Sequence, residues 1–290
     1  MPVKKKEDFT PSELRALRYI MEQDGMCFMR YFFRHREGMR MVRNWHHYVI
    51  DYVLQAVYDG KITRLIINIA PGYSKTEQAV LNFIARGLAI NPKSKYIHAS
   101  YSADLAHDNS SKIKMLVESP EFQELWPMAT RADTKGKRRW FTEHGGGMMA
   151  AAAGGQITGF RAGRMEPGFT GGLVIDDPLK PDDAYSKVRR NGVNNRFTNT
   201  ARSRLALETV PIVVIMQRIH DYDLTGFLLR GGSGDTWHHL SIPALLRDED
   251  VNRIYPKSYT HALRIDINEV LKCLHAGEPF EAERVVKDAV

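Results

Sequence analysis

At 290 residues with 43% hydrophobic side chains, the chain is long enough to bury one substantial core with additions, or two modest domains, and it reads as globular. Its 41 Lys and Arg against 34 Asp and Glu leave a net charge of +7, which favours a polyanionic partner such as nucleic acid. Two distant cysteines, Cys27 and Cys273, exclude a disulfide framework or a cysteine metal cluster and fit a reducing cytoplasm, while the basic start MPVKKKEDF leads into no apolar segment and no run of about 18 apolar residues occurs, so neither export nor a membrane span is expected.

Residues 11–58 read as helices, with Trp45, Val49, Tyr52, Val53 and Ala56 at helical spacing before the stop at Asp59-Gly60. The pattern then changes. RLIINIAP (64–71) is a β-branched run that predicts a strand, KTEQAVLNFIARGLAI (75–90) predicts a helix halted by Asn91-Pro92, and KYIHASYS (95–102) predicts a second strand before a helix over Ala103–Glu118. KRRWFTEHGGGMMAAAAGG (137–155) predicts a hairpin, GGLVIDD (171–177) and VPIVVIMQR (210–218) two further buried strands, and Asp221–Arg230 a helix. Short apolar strands alternating with helices imply an α/β fold with a mostly parallel sheet covered on both faces. From residue 248 onward the rhythm is lost, which suits a linker or the start of another module.

The first chemical constellation is the strand, turn and helix around Pro71-Gly72-Tyr73-Ser74-Lys75-Thr76. A standard P-loop would need glycines at 69 and 74, where Ile69 and Ser74 stand, so the motif fails as a pattern. The physical arrangement survives: a buried strand delivers the chain to a tight Pro-Gly turn whose backbone N–H groups face a helix N-terminus, a good place for phosphate. Lys75 would then reach the β- and γ-phosphates of ATP, and Thr76 would offer its hydroxyl to Mg²⁺. On this segment alone, a surface turn opening a helix is an equally good reading.

The second constellation weighs more. The strand Leu173-Val174-Ile175 ends in two carboxylates, Asp176 and Asp177, followed by Pro178, which is the form of a Walker B strand. Asp176 would hold Mg²⁺, and Asp177, one methylene shorter than the glutamate usual at this position in additional-strand (ASCE) ATPases, would polarise the attacking water. The long stretch between Lys75 and Asp176, which holds the strand 95–102 and its helix, leaves room for a strand inserted between the two. Beyond Walker B the strand 210–218 ends in Gln217, Arg218 and His220, which emerge at the carboxyl edge where ligands of such sheets sit. Gln217 would meet the γ-phosphate or the attacking water, and Arg218 would pair with phosphate or with Asp177; a plain capping cluster is the competing reading.

The segments WHHYVIDYVLQAVYDGKITRLIINIAPGYSKTE, HASYSADLAHDNS, GGQITGFRAGR, LVIDDPLKPDDAYS and MQRIHDYDLTG, in this order over roughly residues 40–245, resemble the large terminase subunits of tailed double-stranded DNA phages. The resemblance implies a P-loop NTPase of the additional-strand class with an N-terminal helical lid over 1–45, an ATPase domain over 46–247, and over 248–290 a linker or the beginning of an RNase H-like nuclease domain. It also implies ATP and Mg²⁺ as cofactors, and a homo-oligomeric ring, a pentamer on the portal. Double-stranded DNA, the portal protein and the small terminase subunit are its implied partners, in the host cytoplasm and transiently on the procapsid. Family members read adenine with a glutamine near the N-terminal helices; here Tyr48 follows His46-His47, and Trp45, His46 and Tyr48 are equally well read as core.

Two arginine sets complete the expectation. Arg161 and Arg164 lie in the glycine-rich segment GGQITGFRAGRMEPGFTGG, expected to be a flexible loop able to reach a neighbour's γ-phosphate as a trans-acting finger, or else a solvated or DNA-facing loop. Lys135, Lys137, Arg138 and Arg139, beside Trp140, form a basic run that would touch DNA phosphates without reading sequence, or would merely be solvated. The rivals to a packaging ATPase are a helicase-like nucleic-acid ATPase and a non-catalytic portal-docking module with a vestigial nucleotide site.

Overall fold

The computed structural model describes residues 10–134, 136–153, 155 and 159–244, without the side chains of 200–202. Lys135 and the whole of 248–290 therefore lie outside the described residues. Three helices come first: α1 (Pro11–Gln23), α2 (Gly25–Glu37) and α3 (Trp45–Tyr58). Local chemistry starts each of them. Thr10 and Glu13 form a reciprocal capping box ahead of Pro11, Asp24 caps α2 through the Cys27 amide, and Asn44 caps α3 while its own amide donates to His47 Nδ1. The sheet strands are β1 (Arg64–Ile69), β2 (Lys95–Ser100), β3 (Arg139–Phe141), β4 (Gly147–Ala152), β5 (Gly171–Asp176), β6 (Ile212–Met216) and β7 (His238–Ile242). Between them lie α4 (Phe83–Ile90), α5 (Ala103–Glu118), α6 (Pro120–Leu125), α7 (Lys187–Arg196) and α8 (Leu224–Leu229). Among the described residues no helix is long and apolar enough to cross a membrane.

The strands form one seven-stranded sheet in the order β3-β4-β2-β5-β6-β1-β7, parallel throughout except for the antiparallel β3–β4 hairpin. Alternate residues feed two cores, as a sheet covered on both faces requires. Val174, Val213 and Ile215 face the apolar cluster that also takes in α3, α4 and the rings of Phe28, Phe32, Phe122 and Trp126. Leu173, Ile175, Ile212 and Val214 face the second cluster, with Phe197, Leu224 and Trp237. Gly171 is needed where β5 starts: its φ is 111°, and a Cβ there would sit 2.1 Å from the Lys95 carbonyl oxygen.

A strand does lie between β1 and β5, as the additional-strand class requires, but it is β6 and not the segment 95–102. β2 pairs on the far side of β5. The inserted strand follows β5 in the sequence, so the segments lying between Lys75 and Asp176 do not contain it. β7 and α7 were also not anticipated from the sequence.

Candidate functional site

β1 ends at Ile69 and the chain turns through Ala70, Pro71 and Gly72 before the helix begins at Lys75. Gly72 has φ 85° and Ser74 has φ 58°. Ser74 therefore adopts the left-handed conformation that glycine reaches most cheaply, at the position where the P-loop pattern calls for its second glycine. The first turn of the helix is π-helical, Glu77–Asn82, before α4 continues it. Wide turns of this kind concentrate at functional sites. Here Glu77 is tied on two sides: its carboxylate accepts from Asn82 Nδ2 at 2.7 Å and pairs with Arg36 of α2 at 2.9 Å. No motif in the sequence announces that contact between α2 and the helix after β1.

β5 and β6 bring the acidic residues to the same edge. Thr76 Oγ1 donates to Asp176 Oδ2 at 2.7 Å, and Lys75 Nζ pairs with Asp177 Oδ2 at 2.8 Å. The other Asp177 oxygen, Oδ1, accepts from the Gln217 backbone amide at 3.0 Å. Asp177 itself has φ 40°, held there by its amide on the Ile215 carbonyl and its carbonyl on the Tyr101 amide. An aspartate kept in a sparsely populated conformation by neighbours on both sides is strained, and strain of this sort collects at functional sites. Asp176 is buried, and its Oδ1 has no hydrogen-bond partner. Burial first, then the charge of Asp177, raises its pKa to about 7, against the opposing pull of the Thr76 hydroxyl and Lys75. A buried, unpartnered carboxylate oxygen beside a threonine hydroxyl is a donor set that suits a hydrated Mg²⁺, which ordinarily takes one or two carboxylates plus phosphate oxygens and water.

No family model and no curated protein matches the chain. A solved structure is similar: the large terminase of bacteriophage HK97, with a TM-score of 0.49 and 20% identity, covering 90% of this chain and 53% of that one. The chain spans about half the length of that protein.

Several expected partners are arranged differently. Arg218 pairs with neither phosphate loop nor Asp177. Its Nε lies 3.1 Å from buried Asp223, which also accepts from the Gly226 amide and so caps α8. Lys75 is the cation of Asp177. Gln217 is at the site, through its backbone amide. Arg164 lies toward the opposite, amino edge, where its backbone amide bonds to Thr170, its guanidinium pairs with Glu166 at 3.0 Å, and the preceding Gly163 amide bonds to the Lys95 carbonyl. Arg161 is exposed, next to Ala162, which is laddered to Arg204 and Ala206. This part of the glycine-rich segment is thus pinned to the sheet and not a free loop, and neither arginine meets the chain's own phosphate loop.

Lys137, Arg138 and Arg139 are exposed at and beside β3, the edge strand, whereas Trp140 points inward, is fully buried and donates to Ser110 at 3.1 Å. Trp45, His46 and His47 are buried and Tyr48 is half-buried with its hydroxyl accepting from Arg43. The His46 ring packs edge-on against Tyr73 of the phosphate loop at 5.3 Å. Burial lowers the pKa of both histidines, His47 to about 4. Behind the site, Asn68 of β1 donates to the Met216 carbonyl and to Thr225 and meets His239 of β7 at 2.7 Å, a buried polar link between three adjacent strands that sequence reasoning missed.

Proposed function

We propose that the chain is the Mg-ATP-hydrolysing part of a large-terminase-type motor that drives double-stranded DNA into a procapsid. The observation that carries this is the convergence of Lys75 with Asp177 and of Thr76 with Asp176 at one sheet edge, across an inserted strand. The terminase-like segments and their order supply the biological setting. ATP would lie with its phosphates on the turn Pro71–Ser74 and on Lys75, and Thr76 and Asp176 would hold Mg²⁺, which offsets the negative charge that gathers on the phosphates during transfer. Asp177 is the group to accept a proton from the attacking water. In the structure Lys75 occupies it; phosphate arriving at Lys75 competes for that cation and frees Oδ2, so the base is released only when substrate is present. Gln217, whose amide already holds Oδ1, lies where the state of Asp177 is felt by β6. Arg161 or Arg164, remote from their own site, are offered to a neighbour in a ring docked on the portal with the small terminase subunit.

A vestigial nucleotide site was favoured only by the missing glycines, and Ser74 at φ 58° weighs against it. The test is steady-state hydrolysis by the chain and by Lys75→Ala, with and without Mg²⁺, duplex DNA and single strands. The reading expects Mg²⁺-dependent turnover that Lys75→Ala loses together with nucleotide affinity, and stronger stimulation by duplex than by single strands. Turnover unchanged in Lys75→Ala would remove the assignment, and preferential stimulation by single strands would favour a helicase-like ATPase.

A further inference from the structure

The same carboxyl edge carries a second surface that the nucleotide site does not use. Each of the adjacent strands β2, β5 and β6 runs on to an exposed aromatic or cationic side chain: Tyr101 directly after β2, Lys180 and, further along, Tyr185 after β5, and Tyr222 after β6, with His220 half-buried beside it. Tyr185 is 83% and Tyr222 61% exposed. These groups touch one another. Lys180 lies over the Tyr101 ring at 5.5 Å, Tyr185 packs on His220 at 6.4 Å, His220 on Tyr222 at 5.8 Å, and Arg230 over the Tyr222 ring at 4.5 Å.

Beside this row stands α7. From Ala184 to Leu207 the chain contains Lys187, Arg189, Arg190, Arg196, Arg202 and Arg204 and no acidic residue. Lys187, Arg189 and Arg196 are exposed, and Arg189 and Arg196, seven positions apart, share one face of the helix about two turns apart. Val188, 81% exposed, shows that this part of the helix is not packed on the fold. Asp182 and Asp183 precede the helix, and Asp183 lies 3.9 Å from Arg189 Nε, a loose exposed pair that phosphate can replace. The helix has no acid of its own, and with Tyr185 ahead of it this is the composition of a surface for a polyanion. The ring contacts narrow the choice: cations already cover a face of Tyr101 and of Tyr222, so these rings are poorly placed to stack on bases, while hydroxyls and charges remain for phosphates.

We propose that this crest, from Tyr101 through Lys180, Tyr185 and α7 to Tyr222, grips the backbone of duplex DNA without reading its sequence. The inference rests on the DNA-motor reading above and adds where the grip lies: its Lys180 is three residues beyond Asp177, on the segment that leaves β5. A shift of Asp177 is thereby passed along a short covalent path, through Pro178 and Leu179, to Lys180.

The full chain is tested by fluorescence anisotropy with a random-sequence duplex, the matching single strand and poly-glutamate over a range of salt, beside binding of a fluorescent Mg-nucleotide. The triple variant Lys187→Gln, Arg189→Gln, Arg196→Gln is compared with the parent, with Tyr222→Phe and with the edge-strand set Lys137→Gln, Arg138→Gln, Arg139→Gln, all checked for an unchanged melting profile. For every phosphate that α7 no longer neutralises, the triple should lower the salt slope by about 0.9 and the duplex affinity at 0.1 M salt by roughly tenfold. Tyr222→Phe should weaken duplex binding measurably and leave the slope alone, since it removes a neutral hydroxyl. An unaltered slope in the α7 triple overturns the proposal, as does a loss confined to the single strand or to poly-glutamate. A parent that binds nucleotide but no duplex also overturns it while leaving the ATPase reading standing; duplex binding lost in the triple without any nucleotide binding by the parent supports the grip and removes the ATPase reading instead.

Discussion

Replacing Asp176 by Asn should make the free protein more stable at neutral pH, although it damages the site. The carboxyl is buried, and its pKa in the fold is about 7 against about 3.9 in an unfolded chain, a difference worth at most about 4 kcal/mol. Since the folded pKa is the higher one, the folded state holds more protons between pH 4 and 7, and stability contributed by the neutral acid is complete below pH 4 and lost as pH rises through 7. Asn cannot ionise, and its carbonyl still accepts from Thr76. The stability difference between Asp176→Asn and the parent should therefore be near zero at pH 4.5, grow through pH 7 and level off by pH 8. With about 2–4 °C per kcal/mol for a domain of this size, the plateau is a rise of several degrees in Tm. Buried His46, His47 and His239 have depressed pKa values and act in the other direction, costing stability as pH falls below 6.5, but they are common to both proteins and cancel in the difference. The assay is thermal unfolding in EDTA, without nucleotide, from pH 4.5 to 8. Parallel curves for the two proteins would refute the argument.

Asp177→Asn should keep Mg-ATP binding and lose hydrolysis by about 10²–10⁴-fold, the range for a removed general base; a loss of nucleotide affinity equal to that of Asp176→Asn would deny the two acids separate roles. Ser74→Gly should raise stability by about 0.5–1 kcal/mol, because the left-handed strain relieved exceeds the entropy that glycine costs the fold, whereas Ser74→Val should lower it; a calorimetric Tm that ranks them otherwise would contradict the loop geometry. If Arg161 or Arg164 completes a neighbour's site, specific activity should climb with protein concentration, and the inactive arginine variant mixed with Lys75→Ala should recover turnover. Activity per molecule that is flat with concentration, with no rescue, would place no finger in trans.

Much of the scaffold is legible in sequence wherever one physical demand dominates. β1, β2, β5 and β6 are short apolar runs between breakers, and α5 spans Ala103–Glu118 as its Ser102 cap and periodicity predict. β7 is not legible because HHLSI, half polar at the end of the sheet, has no run of β-branched residues; its buried members are His239, Leu240 and Ile242. α7 escapes for a similar reason: KVRRNGVNNR has no apolar stripe, and its start rests on Ser186 accepting from the Arg189 amide. At the site, Lys75, Thr76, Asp176 and Asp177 stand out in the sequence because phosphate and a divalent ion would restrict which side chains serve, and the structure brings the four together at one sheet edge. The partner of Arg218 is not legible, since a local cap at Asp223 outcompetes a distant carboxylate, and neither is the bond from Arg36 to Glu77, which depends on how α2 lies against the helix after β1.

The strand order has a consequence for coupling. β1 and β5 are not hydrogen-bonded neighbours, so a change in the turn after β1 reaches the end of β5 either through side chains or through β6. Both routes end on Asp177. One oxygen answers to Lys75 on the β1 side, the other to the Gln217 amide at the end of β6, and its carbonyl holds the Tyr101 amide at the end of β2. The φ of 40° is held by backbone bonds to β6 and to the residue after β2, while the carboxylate is held by Lys75 and the Gln217 amide, so losing Lys75 loosens one side of a strained residue. Drawing Lys75 toward phosphate removes the cation that Asp177 holds, so the expected response is a local rearrangement of Asp177-Pro178, with β2 and β6 on either side fixed by their own ladders. The segment free to move is then the one leading to Lys180 and α7, where the proposed duplex grip lies.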